Sequence, residues 1–175
     1  FSRLNYFNYR QEKYKKLTSK FAELSNLHYF CSQKSISKSN IPMSSKKLLL
    51  GDEALALGAI NAGLSGVYAY PGTPSTEITE FIQVNKVARE RGIHSHWSSN
   101  EKTAMESALG MSFCGKRAMV CMKHVGMNVA ADGFVNSAMT GANGGLVVVA
   151  ADDPSMHSSQ NEQDSRFYSH FALVP

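Results

Sequence analysis

Cysteine is scarce in this chain. Cys31, Cys114 and Cys121 are spread over 175 residues with no CxxC spacing. Three scattered thiols cannot build a tetranuclear iron–sulfur cluster, and such sparse use fits a reducing, cytoplasmic compartment. Cys114 and Cys121 lie in apolar stretches and read as buried packing residues, not ligands. Apolar runs of membrane-spanning length are missing, and so is the hydrophobic core of a signal peptide. Neither GxGxxG nor a Walker P-loop occurs, so both nucleotide-binding fingerprints are absent. A basic face is missing as well, despite a net charge of +4. Residues 1–42 carry eight Lys/Arg against two Glu, a net of +6, which leaves ten Lys/Arg against twelve Asp/Glu in 43–175. The basicity belongs to the N-terminal tract, and nothing in the remainder suggests nucleic acid binding.

At 175 residues the chain is long enough for one good core. It begins at Phe1, and Met43-Ser44-Ser45-Lys46 has the look of a natural start. Residues 1–42 are rich in Ser, Asn, Lys and Tyr and read as a basic, disordered extension, although Leu17, Phe21 and Leu24 sit at helical spacing. An organellar targeting tract is another reading, opposed by few arginines and two glutamates. From Leu48 the pattern becomes regular, and 43–175 is taken as one domain. Helices are expected at Gly51–Leu64, Thr76–Arg91, Glu101–Cys114 and Met127–Ala142, the second and third ended by Gly92 and Gly115 and the last by Asn143-Gly144-Gly145. Strands are expected at Val67–Tyr70, Ile93–Trp97, Ala118–Met122 and Leu146–Ala151, the last a continuous apolar run suited to burial on both faces. A further strand is expected shortly before Pro175. This alternation means right-handed βαβ units: an α/β fold, doubly wound, with a mostly parallel sheet and helices on both faces.

In such sheets ligands bind beyond the carboxyl ends of the strands. After the first strand, Tyr70-Pro71-Gly72-Thr73-Pro74-Ser75-Thr76-Glu77 packs two of the chain's five prolines around a glycine and a threonine. Proline fixes φ and restricts its predecessor, so the turn is stiff and aims the Thr73 hydroxyl and nearby N–H groups in one direction. It can hold a small anion, or it can simply start a helix with Ser75 or Thr76 as N-cap. After the second strand comes Ser98-Ser99-Asn100-Glu101. Glu101 is either a first-turn acid complementing the helix dipole or a carboxylate that moves a proton. After the third come Lys123, His124, Gly126 and Asn128; a lone histidine here is more often a packing residue, and Gly126 permits a tight turn or close backbone approach. After the fourth, His157 with Asp152, Asp153, Glu162 and Asp164 has no metal-ligand spacing and reads as a solvated loop.

GDEALALGAINAG, YAYPGTPSTEI, the Asn100-Glu101-Lys102 helix start, MKHVGMNVAAD and LVVVAADDPSMHSSQNEQDSR together resemble the thiamine-diphosphate-dependent 2-oxoacid:ferredoxin oxidoreductases, specifically their indolepyruvate branch. The resemblance spans about Leu48 to Pro175 and leaves residues 1–42 aside. It implies the pyrimidine-binding domain of a thiamine diphosphate fold. It implies that Glu101 is catalytic, meeting N1′ of the aminopyrimidine and promoting deprotonation of the thiazolium C2. It implies substrate binding by Thr73 and Pro74, and cofactor binding by Glu101, Gly72, Asn100, His124, Gly126 and Asn128. The reaction implied is oxidative decarboxylation of an arylpyruvate such as indolepyruvate, with acyl transfer to coenzyme A and electrons passed to ferredoxin. A second (beta) subunit and an oligomer are implied as partners. The GDG…N signature for Mg²⁺ and the diphosphate, and the cysteine-rich tail for 4Fe–4S clusters, do not occur in this sequence. On that pattern the chain reads as a fragment without turnover of its own. Two other readings stand beside it: a thiamine diphosphate oxidoreductase or decarboxylase acting on another 2-oxoacid, and a non-catalytic domain serving as an interaction module.

The composition shift at Met43 predicts that limited proteolysis trims the chain to near that residue. A protease-resistant tract upstream contradicts the boundary.

Overall fold

The computed structural model describes residues 47–174. The expectations for residues 1–42, including the Leu17–Leu24 helix, Cys31 and the Met43 boundary, lie outside the described residues. The elements run α1 (Gly51–Asn61), β1 (Gly66–Ala69), α2 (Thr76–Val84), α3 (Lys86–Glu90), β2 (His94–Trp97), α4 (Glu101–Phe113), β3 (Ala118–Lys123), α5 (His124–Thr140), β4 (Leu146–Ala151), a 3₁₀ turn (Pro154–Met156) and α6 (Arg166–Ala172). All three strand pairings are parallel and the sheet order is β2-β1-β3-β4. The chain therefore leaves β1 for β2 on one side and resumes with β3 on the other. The crevice between the β1 and β3 ends is the topological switch point.

Alternate residues of β3 divide the core into two layers, as side-chain period two requires. Ala118, Val120 and Met122 pack under α4 and α5 with Ala104, Met105, Ala108, Met127, Ala130 and Phe134. Met119 and Cys121 face the other way, against Ala56 and Ile60 of α1 and Ile78 and Ile82 of α2. Helices thus cover both faces, the expected α/β architecture. Cys121 is sealed in, and burial pushes its thiol up to about 12, which makes it an inert packing group.

Several expectations need correction. The helix expected over Thr76–Arg91 is broken at Asn85, whose backbone is extended (φ −67°, ψ 125°) and whose Oδ1 accepts from Ala88 N at 3.1 Å. An asparagine that can cap a new helix competes with continuing the old one. α5 starts at His124, three residues early, because β3 feeds straight into a helix without a loop. β4 is not buried on both faces. It is an edge strand of the described sheet, and Val147 is 56% exposed. Leu146, Val148 and Ala150 pack against the α5 layer, but the α1 side leaves a groove of about 300 Å³ lined by Leu55, Ala59, Leu64, Met119, Val147 and Val149. Cys114 is exposed at the C-cap of α4 instead of buried. The residues before Pro175 form α6, not a strand. Gly92 and Gly115 do end their helices, with φ of +66° and +76°, a conformation only glycine adopts cheaply.

The loop into β4 has a tight spot. A Cβ on Gly144 would lie 2.2 Å from Lys116 O and 2.8 Å from Lys116 N, all backbone. Gly144→Ala is expected to destabilise by about 1–3 kcal/mol, the usual cost of forced overpacking. Gly58→Ala in α1 meets nothing within 4 Å and should stabilise by up to about 1 kcal/mol. Urea unfolding midpoints of the two variants, read against the parent, check both signs.

Candidate functional site

The turn after β1 is closed by its own residues. Ser75 N and Oγ both donate to Gly72 O at 2.8 Å, and Gly72 N donates to Thr76 Oγ1 at 3.0 Å. Ser75 and Thr76 therefore serve the turn, and Ser75 makes no side-chain cap to α2. The Thr73–Pro74 peptide is cis, Thr73 is exposed and Pro74 half-buried. Lys123, at the end of the neighbouring β3, lies across this turn. A Cβ on Gly72 would sit 3.0 Å from Lys123 Cδ, so the lysine stem packs directly on the glycine backbone.

Glu101 opens α4. Asn100 is the N-cap, with Oδ1 accepting from Thr103 N at 2.9 Å, and Lys102 reaches across to Asp132 of α5 at 3.1 Å. Glu101 itself is half-buried and carries no hydrogen bond or ion pair among the described residues. Its carboxylate lies against the first turn of α5: a Cβ on Gly126 would be 2.7 Å from Glu101 Oε1 and Cγ. Gly126 lies inside the first turn of α5, and the Glu101 side chain packs directly against its backbone. A half-buried carboxyl without a protein partner, facing a backbone cleared of side chain, fits a heteroaromatic nitrogen able to share a proton with it.

The loop after β4 is built around Asp153. Its carboxylate accepts from Ser158 N (2.8 Å), Ser158 Oγ (3.2 Å), Ser159 Oγ (2.7 Å) and His157 N (3.2 Å). These bonds, Ser159 first, hold its carboxyl down at about 2. Asp152 accepts from Ser165 N at 3.2 Å and Glu162 from Ser155 N at 3.3 Å, so the acids of this segment fold the loop. No group of three or more His, Cys, Asp and Glu that could hold a metal exists among the described residues. The loop then reaches the other strand ends. Ser158 Oγ donates to Thr73 O at 3.2 Å, Lys123 Nζ donates to Ser158 O at 2.7 Å, and His124 Nε2 lies 2.8 Å from Asn161 O.

The structure thus joins Gly72, Thr73 and Pro74 in one cluster and Glu101 with Gly126 in another, at the same end of the sheet. His124 is fully buried. Its Nε2 donates to the Asn161 carbonyl, and its Nδ1 is buried with no partner among the described residues. Asn100 is occupied as a cap, and Asn128 is exposed and held by the Tyr168 hydroxyl of α6. Reading the sequence assigned no role to Lys123, Asp153, Ser158 or Asn161. Lys123 did carry a signal, being the first charge after five apolar residues, and nothing in the sequence singled out Asp153 from its acidic neighbours.

No family model matches the chain. Among curated proteins it is 53% identical to indolepyruvate oxidoreductase subunit IorA of Thermococcus kodakarensis over 128 residues, 73% of this chain and 20% of that one. With the IorA subunit of Archaeoglobus fulgidus it shares 53% over 132 residues, 74% of this chain and 21% of that one. With 2-oxoglutarate synthase subunit KorA of Methanothermobacter thermautotrophicus it shares 30% over 135 residues, 73% and 35% of the two chains. The chain spans about a fifth of the length of the IorA relatives it matches. In fold it is similar to a solved 2-oxoglutarate:ferredoxin oxidoreductase from Magnetococcus marinus, with a TM-score of 0.53 and 18% identity over 80% of this chain and 29% of that one. The parallel α/β fold expected is accordingly the one it shares with that oxidoreductase.

Because the Asp153 carboxyl is held below its ordinary 3.8, its contribution is complete above about pH 4 and disappears as pH falls toward 2. Amide exchange at His157 and Ser158, corrected for the intrinsic rate, should lose protection across that window. Asp153→Asn should abolish the pH dependence and leave both amides poorly protected at every pH.

Proposed function

This chain is related to the IorA subunits of indolepyruvate oxidoreductase, and on that premise we propose that its described domain forms the aminopyrimidine side of a thiamine diphosphate site in an enzyme that oxidatively decarboxylates arylpyruvates. The observation that carries this reading is Glu101, a half-buried carboxyl left without a protein partner opposite the bare Gly126 backbone. Thiamine diphosphate, when bound, supplies the electron sink that accepts the pair released with carbon dioxide. Glu101 holds a proton at N1′ of the pyrimidine ring. The Thr73 hydroxyl donates to the carboxylate of the 2-oxoacid, and Pro74 fixes the turn that aims it. Gly72 and Gly126 let backbone come close, and Asn100 anchors the start of α4. His124 and Asn128 support the site indirectly, through Asn161 and Tyr168.

Mg²⁺ and the diphosphate, the 4Fe–4S clusters, coenzyme A and ferredoxin are assigned to residues outside the described ones and to a second subunit. Indolepyruvate as the substrate follows the names of the IorA relatives, and the KorA similarity supports the wider 2-oxoacid class. The domain by itself is proposed to bind the cofactor poorly and to release no carbon dioxide.

In the holoenzyme that contains this domain, Glu101→Gln should slow exchange of the thiazolium C2 proton for deuterium by about 10²–10⁴-fold, the usual cost of losing a positioned proton donor. Glutamine keeps the size of the side chain but cannot supply the proton. Thr73→Val should leave that exchange intact and raise KM for the arylpyruvate. NMR of the C2 position after quenching separates the two, and exchange at the parent rate in Glu101→Gln overturns the assignment.

A further inference from the structure

β3 is buried from Ala118 to Met122 and meets its first charge at Lys123. The lysine stem lies over the Gly72 backbone, and its Nζ donates to Ser158 O at 2.7 Å. The same Ser158 turns its hydroxyl to Thr73 O at 3.2 Å. Lys123 and Thr73 are therefore held by one serine, across the switch-point crevice between β1 and β3. Lys86, Lys102 and Arg166 each have a carboxylate within ion-pair distance, whereas Lys123 has none among the described residues. Its only hydrogen-bond acceptor there is a backbone carbonyl, which aims the ammonium without neutralising it. A cation held in place at the strand ends with no carboxylate partner can take one from a ligand.

We propose that Lys123 is the counter-charge for the carboxylate of the 2-oxoacid, binding one carboxylate oxygen while the Thr73 hydroxyl binds the other. This deepens the function proposed above and rests on it. The assignment makes Lys123 a specificity residue. It favours a 2-oxoacid over the matching neutral ketone, because a site built around an unpaired charge leaves that charge desolvated when the ligand lacks its partner. The Asp153-centred loop acts on substrate only through Ser158, by holding the carbonyl that orients the lysine.

The test is an NMR titration of the holoenzyme that contains this domain, with thiamine diphosphate and Mg²⁺ present, using phenylpyruvate, phenylacetone and inorganic phosphate as probes. The amides of Gly72, Thr73 and Ser158 are the reporters. Phenylpyruvate should shift them saturably, and Lys123→Gln should weaken its binding about 10- to 100-fold, the usual worth of a hydrogen bond to a charged group. Lys123→Arg should recover most of that loss. Phenylacetone should bind parent and Lys123→Gln alike. Added potassium chloride should weaken phenylpyruvate and not phenylacetone, a readout that needs no variant and stands if Lys123→Gln fails to fold. Phenylpyruvate bound equally by parent and Lys123→Gln, or insensitive to salt, overturns the role of Lys123 and leaves the proposed function standing. Phosphate competing as well as phenylpyruvate makes the site a general anion site and also overturns it. No response of the parent to phenylpyruvate overturns the proposed function, and this proposal with it.

Discussion

The close packing of α4 on α5 is the constraint on which the site depends. Along this contact the residues are small: Ala104 and Ala108 on one helix, Gly126, Ala130 and Gly133 on the other. A Cβ on Gly133 would come within 3.0 Å of Met105 Cγ, and one on Gly126 within 2.7 Å of the Glu101 carboxylate. Without side chains at those positions the backbones approach until Lys102 can bridge to Asp132 at 3.1 Å. The same approach sets the Glu101 side chain, half-buried, over the first turn of α5. The apolar layer and the placement of the Glu101 carboxyl follow from one packing decision.

A parallel sheet delivers all its following loops to one end, but it does not join them. Here that work falls to the Asp153 carboxylate. By accepting four hydrogen bonds it folds the segment after β4 into a shape that reaches the β1 turn through Ser158 and the β3 end through both Lys123 and His124. Ser155 and Met156 take φ of 66° and 45° in this segment, a left-handed backbone uncommon for such residues. The chain accepts that strain where the bonds to Asp153 and Glu162 surround it. Three strand ends become one rigid rim, and the rim encloses the switch point.

Local chemistry was legible where a single residue type settles the matter. Gly92 and Gly115 stop their helices because the left-handed conformation there needs no Cβ, and the alternation of apolar strands with helices gives the α/β class because each face must be covered. Glu101 and Thr73 were legible as candidates because they follow strand ends, Glu101 at the start of a helix and Thr73 in the proline-framed turn before one. The motifs around them placed the chain beside the 2-oxoacid oxidoreductases. Less legible was whatever depends on competition. Asn85 could sit inside a helix or cap a new one, and in the fold it caps the new one through Ala88 N. Leu146–Ala151 is apolar at every position, yet it lies at the edge of the described sheet, since composition does not say which strand is outermost.

By itself the sequence determined the alternation of elements, the helix stops and the stiff Pro71–Pro74 turn, all of which arise from φ/ψ limits and hydrophobic period within a few residues. Tertiary structure alone decided that the Glu101 side chain lies against the Gly126 backbone 25 positions later, that His124 is buried beneath the Asn161 carbonyl, and that Lys123, Ser158 and Thr73 meet. Those contacts join residues far apart in the chain. Their geometry is set by strand order and interhelical distance, which no local pattern encodes.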